Sequence, residues 1–290
     1  MHPYKKTANK VLLQIGKDQF KEIQINKALI VSGGCLASSH FLMRSEVKGN
    51  VGKHLACNYA FPFTFEYAEE LKAYDGTQIN MAAIEQELGL VFETYFNPPG
   101  AFALTLPFHF KTHLEIMENY SHYLNLGILI GSDNSGTISP KPDPLSGRAF
   151  SFDLNPGELE KIKTGFLKLL EVARLSGAKS GILPLKPGIR VDLQDPSAYP
   201  TFVEAFTAHS LSQSEIVLNS AHPQGGNLMA GDDSRHKENR VVNAQFKLED
   251  HTNVYVVDGS VFPRSLGVNP QWTIMALSSM AAKHIARTHS

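Results

Sequence analysis

The sequence predicts a mixed α/β protein, α+β overall, and three observations carry that prediction. Apolar or alternating runs of strand length recur at 11–16, 20–31, 126–131, 149–154, 215–221, 243–248 and 254–258. A single long helical stripe interrupts them, Leu159, Ile162, Phe166, Leu169, Leu170 and Ala173. Gly/Pro punctuation at Asp75-Gly76, Asn97–Gly100, Asp133–Gly136 and 139–147 keeps the connections short.

Taken in order, 11–16 and 20–31 with a Gly-Lys-Asp break between them predict a hairpin feeding a buried strand, and 38–45 turns helical. Residues 56–110 are rich in Phe, Tyr and Thr and predict strands and loops, with a short helix near 80–87. Phe61, Phe63 and Phe65 alternate, so they form either a core face or an apolar substrate wall, with the core favoured. A helix follows over 113–124. The helix over 158–176 has full local signals: Asn155 as N-cap, Pro156 at N1, Glu158 near the positive end of the dipole and Gly177 at the stop. Another helix is predicted over 200–211.

Composition narrows the function. Apolar content of 42% and charged content of 19% suit an ordinary globular enzyme. With 27 basic and 28 acidic residues there is no field for a polyanion, so nucleic acid is excluded as a partner. Cys35 and Cys57 are too few for a disulfide framework and read as small buried groups. The twelve histidines never adopt a His-Glu-x-x-His spacing, so no metal is expected. No apolar run is long enough to span a bilayer and no secretory signal is visible, so the expected location is cytoplasmic. No Gly-x-Ser-x-Gly elbow is present, which argues against an α/β-hydrolase.

The end of the chain is the most informative stretch. Val254–Val257 reads as a buried strand, Asp258-Gly259 as a polar turn, Gly267 closes a loop, and Asn269-Pro270 opens a helix. Upstream stands His222-Pro-Gln-Gly225-Gly226-Asn-Leu-Met229, a strand (Glu215–Ser220) giving way to a glycine turn with an imidazole at its head. Near the start, Ala28–Ser45 reads as a strand, a Gly33-Gly34 turn and a helix, with Val51-Gly52-Lys53 following. These motifs, in this order, resemble the glucose–methanol–choline (GMC) family of flavin-dependent alcohol oxidoreductases. The combination of histidine and asparagine is most similar to its sterol-oxidase and long-chain-alcohol-oxidase branches.

The resemblance implies FAD as cofactor. It also implies a small-molecule alcohol as substrate, bulky and apolar like a sterol or fatty alcohol, with hydride passing to flavin N5. It implies that residues 1–55 and 241–290 belong to an FAD-binding domain and 56–240 to a substrate domain. That substrate domain would stand on a mainly antiparallel sheet with helices on one face. The family's Gly-x-Gly-x-x-Gly turn, which holds the FAD pyrophosphate, occurs nowhere in these residues. The FAD-binding domain is therefore expected to lack its N-terminal βαβ unit. Either a partner chain supplies that half or the gene product is truncated. The rival reading is a non-catalytic remnant.

Three residues are catalytic candidates. By spacing alone His222 reads rather as a turn histidine bonded to backbone; the resemblance gives it the family's catalytic histidine role as base for the hydroxyl proton. Asn269 would orient the alcohol oxygen but cannot take its proton. Asn269-Pro270 could also be only an N-cap and N1 pair, as Asn155-Pro156 is. Glu93, in Glu93-Thr-Tyr95-Phe-Asn-Pro98, resembles a sterol-oxidase base over the substrate. It is otherwise a solvated strand-end carboxylate, whereas burial among Phe92, Tyr95 and Phe96 would raise its pKa. For the cofactor, the resemblance points to Asp258, Gly259, Asn269, Pro270, Gln271, Gly33 and Gly34, with backbone N–H groups near Gln271 facing the flavin.

Overall fold

A computed structural model describes residues 6–77, 79–95, 98–133 and 135–290. Phe96, Asn97 and Asn134, which the sequence places beside Glu93 and in two turns, lie outside the described residues. In chain order the strands are β1 (Lys10–Gln14), β2 (Phe20–Gln24), β3 (Leu29–Val31), β4 (Lys53–Glu66), β5 (Ala82–Glu85), β6 (Leu90–Tyr95), β7 (Tyr123–Gly131), β8 (Gly136–Ile138), β9 (Phe150–Ser151), β10 (Ser180–Leu183), β11 (Ile189–Asp192), β12 (Asn219–Gly226), β13 (Met229–Ala230), β14 (Val242–Asn243) and β15 (Val254–Val256). The helices are α1 (Gly34–Arg44), α2 (Pro99–Thr105), α3 (Phe110–Glu118), α4 (Pro156–Leu175), α5 (Ala198–Ala208) and α6 (Gln271–Thr288). No described helix is long and apolar enough to cross a membrane.

Two compact units result, one of Met1–Cys57, Asp133–Phe152 and His222–Ser290, the other of Asn58–Ser132 and Asp153–Ala221. The first takes in more of the middle of the chain than 1–55 and 241–290. Strand pairing accounts for this: β8 pairs with the start of β4 (Leu55↔Gly136), and β13 with β14 (Met229↔Val242).

In the first unit β1 and β2 form the expected antiparallel hairpin, Lys10 opposite Gln24. Strand β3 lies parallel to β15, Leu29 opposite Val254 and Val31 opposite Val256, so both strands end together and each leads towards a helix start. Val31, Leu42, Val242, Val254 and Val256 make one core cluster, while Tyr255, Phe246, Ala281 and Ile285 seat α6.

The second unit is built on strands in the order β11-β10-β4-β7-β6-β5, antiparallel at every described pairing. Side chains alternate across this sheet. Phe61, Phe63 and Phe65 point to α4, where Phe166 meets Phe61 and Phe63 edge-on at 5.4 and 4.8 Å. They are core. Phe206 of α5 stacks on the same Phe166. Ala60, Pro62 and Thr64 face the other way. On that side Phe102 and Leu106, from α2 and its end, pack with Ile116, Tyr123 and Ile182. Helices therefore cover parts of both faces, not one. The cause is Ile182, which is level with Thr64 and offers α2 and α3 a second apolar surface.

Local chemistry fixes α4 as expected. Asn155 accepts from Glu158 N, Glu158 accepts from Asn155 N, and Gly177 adopts φ +92° at the stop. Elsewhere tertiary pairing overrides the local pattern. The expected helix near 80–87 is strand β5, drawn into register with β6 (Ala82↔Glu93). The helix expected over 113–124 ends at Glu118, because Tyr123 already pairs with Glu66. The run 243–248 keeps only Val242–Asn243 as strand, since Phe246 turns back at φ +61° to bond Asn243.

Candidate functional site

His222 lies inside β12, not at a turn that follows a strand: the ladder continues through Gly225 and Gly226, both left-handed at φ +75° and +102°. A Cβ at Gly225 would run into the His54 carbonyl oxygen, and Gly226 accepts the Gly52 N–H at 2.6 Å. The two glycines thus let this strand end press against the Gly52–His54 backbone. His222 is half-buried. Burial holds its imidazole below the ordinary value of 6.5, so the ring is neutral at pH 7 and able to accept a proton.

Beside it stands a residue for which no role was expected. Gln224 is fully buried, donates to the His222 carbonyl at 3.3 Å and accepts the Leu266 N–H at 3.0 Å. Its one carboxamide joins the His222 strand to the loop that carries Asn269. Asn227 adds a second tie, bonding both the carbonyl and the hydroxyl of Ser260 at 2.9 Å. Gly259 presses in between: a Cβ there would sit 3.5 Å from the Pro223 carbonyl and 3.4 Å from Ile274 of α6. The available signal for Gln224 was a long polar side chain flanked by glycines that admit close backbone approach.

Asp258 joins the two ends of the first unit. Its carboxylate accepts Gly34 N–H at 2.9 Å, the Ser38 hydroxyl at 2.5 Å and Ser260 N–H at 2.8 Å. It supplies α1 with the negative charge its first turn lacks, from 224 residues away. Gly33 N–H bonds Ser38, so the Gly33-Gly34 turn is held from both sides. On the Cβ side of Gly34, at φ +79°, nothing lies within 4 Å. Cys35 is buried and its thiol is pushed up to about 12 by burial and by the Asp258 charge, an inert packing group.

Asn269 and Pro270 do not form an N-cap and N1 pair. Helix α6 begins at Gln271, Pro270 occupies the cap position, and no side chain caps the helix. A proline cannot cap through its side chain, and the one-residue shift frees the exposed Asn269 from that duty. The contrast with Asn155, whose side chain is spent in a capping box, is direct.

Glu93 belongs to the second unit and is not a solvated strand-end group. It is 5% exposed, in the body of β6 opposite Ala82 and Gly127. Alternation puts Tyr95 on the same face, and a Cβ at Gly127 would strike the Tyr95 ring. The Tyr95 hydroxyl is enclosed beside the Glu93 side chain; burial, then the Glu93 charge and a hydrogen bond to Glu93, push its pKa up. Tyr95, Ala60, Pro62, Thr105, Ser220 and Ala221 line a cavity of about 320 Å³, and Ala221 precedes His222 in the chain. A further cavity of about 270 Å³ beside α5 has its polar pair, His209 and Glu215, bonded to each other at 2.7 Å. Among the described residues no three His, Cys, Asp or Glu side chains group to hold a metal.

Residues 132–278, half of the chain, match the GMC oxidoreductase C-terminal profile. The chain is 25% identical to the long-chain-alcohol oxidase FAO4A of Arabidopsis thaliana, over 94% of this chain and 39% of that protein. To a cholesterol oxidase of Acinetobacter baumannii it is 37% identical over 89 residues, 29% of this chain and 15% of that one. Its fold is similar to a formate oxidase of Aspergillus oryzae, solved in a study of FAD modification, at TM-score 0.64 and 14% identity. That match covers 98% of this chain and 58% of the other. The chain thus spans 39% of the first of these relatives. It belongs to the GMC oxidoreductase family.

Proposed function

We propose that this chain is the C-terminal portion of an FAD-dependent oxidoreductase acting on the CH–OH group of an alcohol on a bulky apolar skeleton. The observation that carries the reading is the Gln224 bridge, which fixes the His222 strand to the loop before Asn269. A neutral imidazole is the group a hydroxyl proton needs, and an uncommitted carboxamide suits the alcohol oxygen. His222 takes the proton, Asn269 holds the oxygen, and Glu93 contributes a buried carboxylate in the substrate domain. The similarity to a long-chain-alcohol oxidase and a cholesterol oxidase supports the substrate class.

The residues fit FAD. Gly34 leaves open space at a strand-to-helix turn, Asp258 holds that turn with Gly259 next in the chain, and the start of α6 at Pro270 and Gln271 carries no side-chain cap. When bound, FAD supplies the hydride acceptor. On this reading 1–55 and 241–290 serve the flavin and 56–240 the substrate.

A second reading, one subunit of a split enzyme, is favoured by apolar surface in the first unit. Trp272 and Met280 of α6 are 80% and 61% exposed, and Phe20 of the hairpin 57%. The test is flavin absorbance near about 450 nm. The 290-residue chain alone is expected to hold little FAD, and adding a polypeptide with the nucleotide-binding half should restore a band that alcohol bleaches. Stoichiometric flavin in the chain alone would contradict the split. A restored band indifferent to alcohol would point to the non-catalytic remnant.

A further inference from the structure

The cavity beside α5 has no part in the chemistry above, and its walls specify a ligand of their own. It lies between α5 and the connection from β10 to β11, about 270 Å³ in volume, with Leu185, Ile189, Phe202 and Phe206 among its apolar lining. Hydrogen bonds hold these walls in place. Lys186 N–H donates to the Glu215 carbonyl at 2.7 Å, and Lys163 Nζ donates to the carbonyls of Thr207 and His209 at 3.2 Å each. The Phe202 and His209 rings lie 15° and 25° from the Phe206 plane, with centroids 5.4 and 6.4 Å from that ring. Near-parallel rings along one side of a helix and its end offer a further planar ring a stacking surface.

The polar end is as well defined. Glu215 Oε2 accepts the Ser212 hydroxyl and N–H at 2.7 and 2.8 Å, and Oε1 lies 2.7 Å from His209 Nε2. The Ser212 hydroxyl and N–H, then His209, hold the Glu215 carboxyl below its ordinary range. A carboxylate only accepts, so His209 Nε2 carries the hydrogen of this bond. In the neutral ring Nδ1 is then an acceptor, and it bonds no described residue. An apolar site with one convergent polar atom orients its ligand through that atom.

We propose that this cavity binds a small, uncharged, planar aromatic molecule whose N–H or O–H donates to His209 Nδ1 while its ring packs against Phe202 and Phe206. The volume falls just below the roughly 300–1,000 Å³ of drug-sized ligand sites, which limits the guest to one or two fused rings. Lys186 also lines the cavity, so an aromatic carboxylate is the competing guest, anchored by the ammonium instead of the imidazole.

The test titrates the 290-residue chain with indole, benzofuran and benzoate, followed by amide NMR at about pH 8, above the ordinary imidazole range. Benzofuran keeps the shape of indole and replaces its N–H by an oxygen that cannot donate. Wild type should bind indole about three- to tenfold more tightly than benzofuran, the worth of one hydrogen bond. The shifts should centre on 185–189 and 202–209. His209→Phe keeps a ring and deletes the acceptor, so indole should fall to the affinity of benzofuran while benzofuran stays as it was. Ala205→Trp, at an exposed position on the cavity wall, should abolish binding of both. If His209→Phe does not fold, the wild-type pair of ligands and Ala205→Trp decide. Five results would overturn the proposal: no saturable indole shift, equal affinity for indole and benzofuran, a preference that survives His209→Phe, binding that survives Ala205→Trp, or benzoate binding more tightly than indole. None of them involves flavin, so the redox reading stands or falls separately.

Discussion

Gln224 accepts the backbone N–H of Leu266 at 3.0 Å, across 42 positions of sequence, and does so while fully buried. With its donor bond to the His222 carbonyl, that amide joins the two motifs that carry the proposed chemistry. Gln224→Leu keeps the volume but removes the acceptor of the part-buried Leu266 N–H. The expected loss is about 1 kcal/mol or more, read by urea unfolding, since an unmet buried group costs about 1–3 kcal/mol. Flavin-loaded enzyme should lose turnover as well.

His222 and His251 give the chain an acid-sensitive fold. Burial leads in lowering both imidazoles below 6.5, with the Lys6 charge adding to it at His251. As pH falls through 6.5 the unfolded chain binds protons that the folded chain refuses, so stability drops on the acid side and levels off above it. Unfolding midpoints between pH 5 and pH 8 should show this slope, and His251→Gln should flatten it. Turnover, which needs the neutral ring, should fall over the same acid range.

Asn155 and Asn269 precede prolines alike and should respond oppositely. Asn155→Ala removes a capping box and should cost about 1 kcal/mol without altering catalysis. Asn269→Ala touches an exposed side chain that caps nothing, so stability should stay within about 0.5 kcal/mol while turnover falls. Thermal melts paired with steady-state rates separate the two.

Gly225→Ala combines a left-handed backbone with a collision at His54, and should cost about 2 kcal/mol or more. Chemical denaturation reads it directly.

The parts legible in sequence are those whose cause is local. Asn155, Pro156, Glu158 and Gly177 specify α4 without help, and the Phe61–Phe65 alternation specifies a sheet face. Strand β5 was not legible because Ala82–Glu85 becomes a strand only by pairing with β6. The motifs around His222 and Asn269 could be seen, but not the residue that joins them, since Gln224 acts through Leu266 far along the chain. Tyr95 was visible only as a neighbour of Glu93.

The most direct measurement is single-turnover reduction of bound flavin by an alcohol, with oxygen excluded, in the complete flavin-loaded enzyme carrying wild-type His222 or His222→Ala. Loss of the proton acceptor should slow reduction by at least about 10²-fold at pH 7, with the wild-type rate falling towards acid pH. Reduction by the alanine variant within about twofold of wild type would remove His222 from the chemistry, and the proposed mechanism with it.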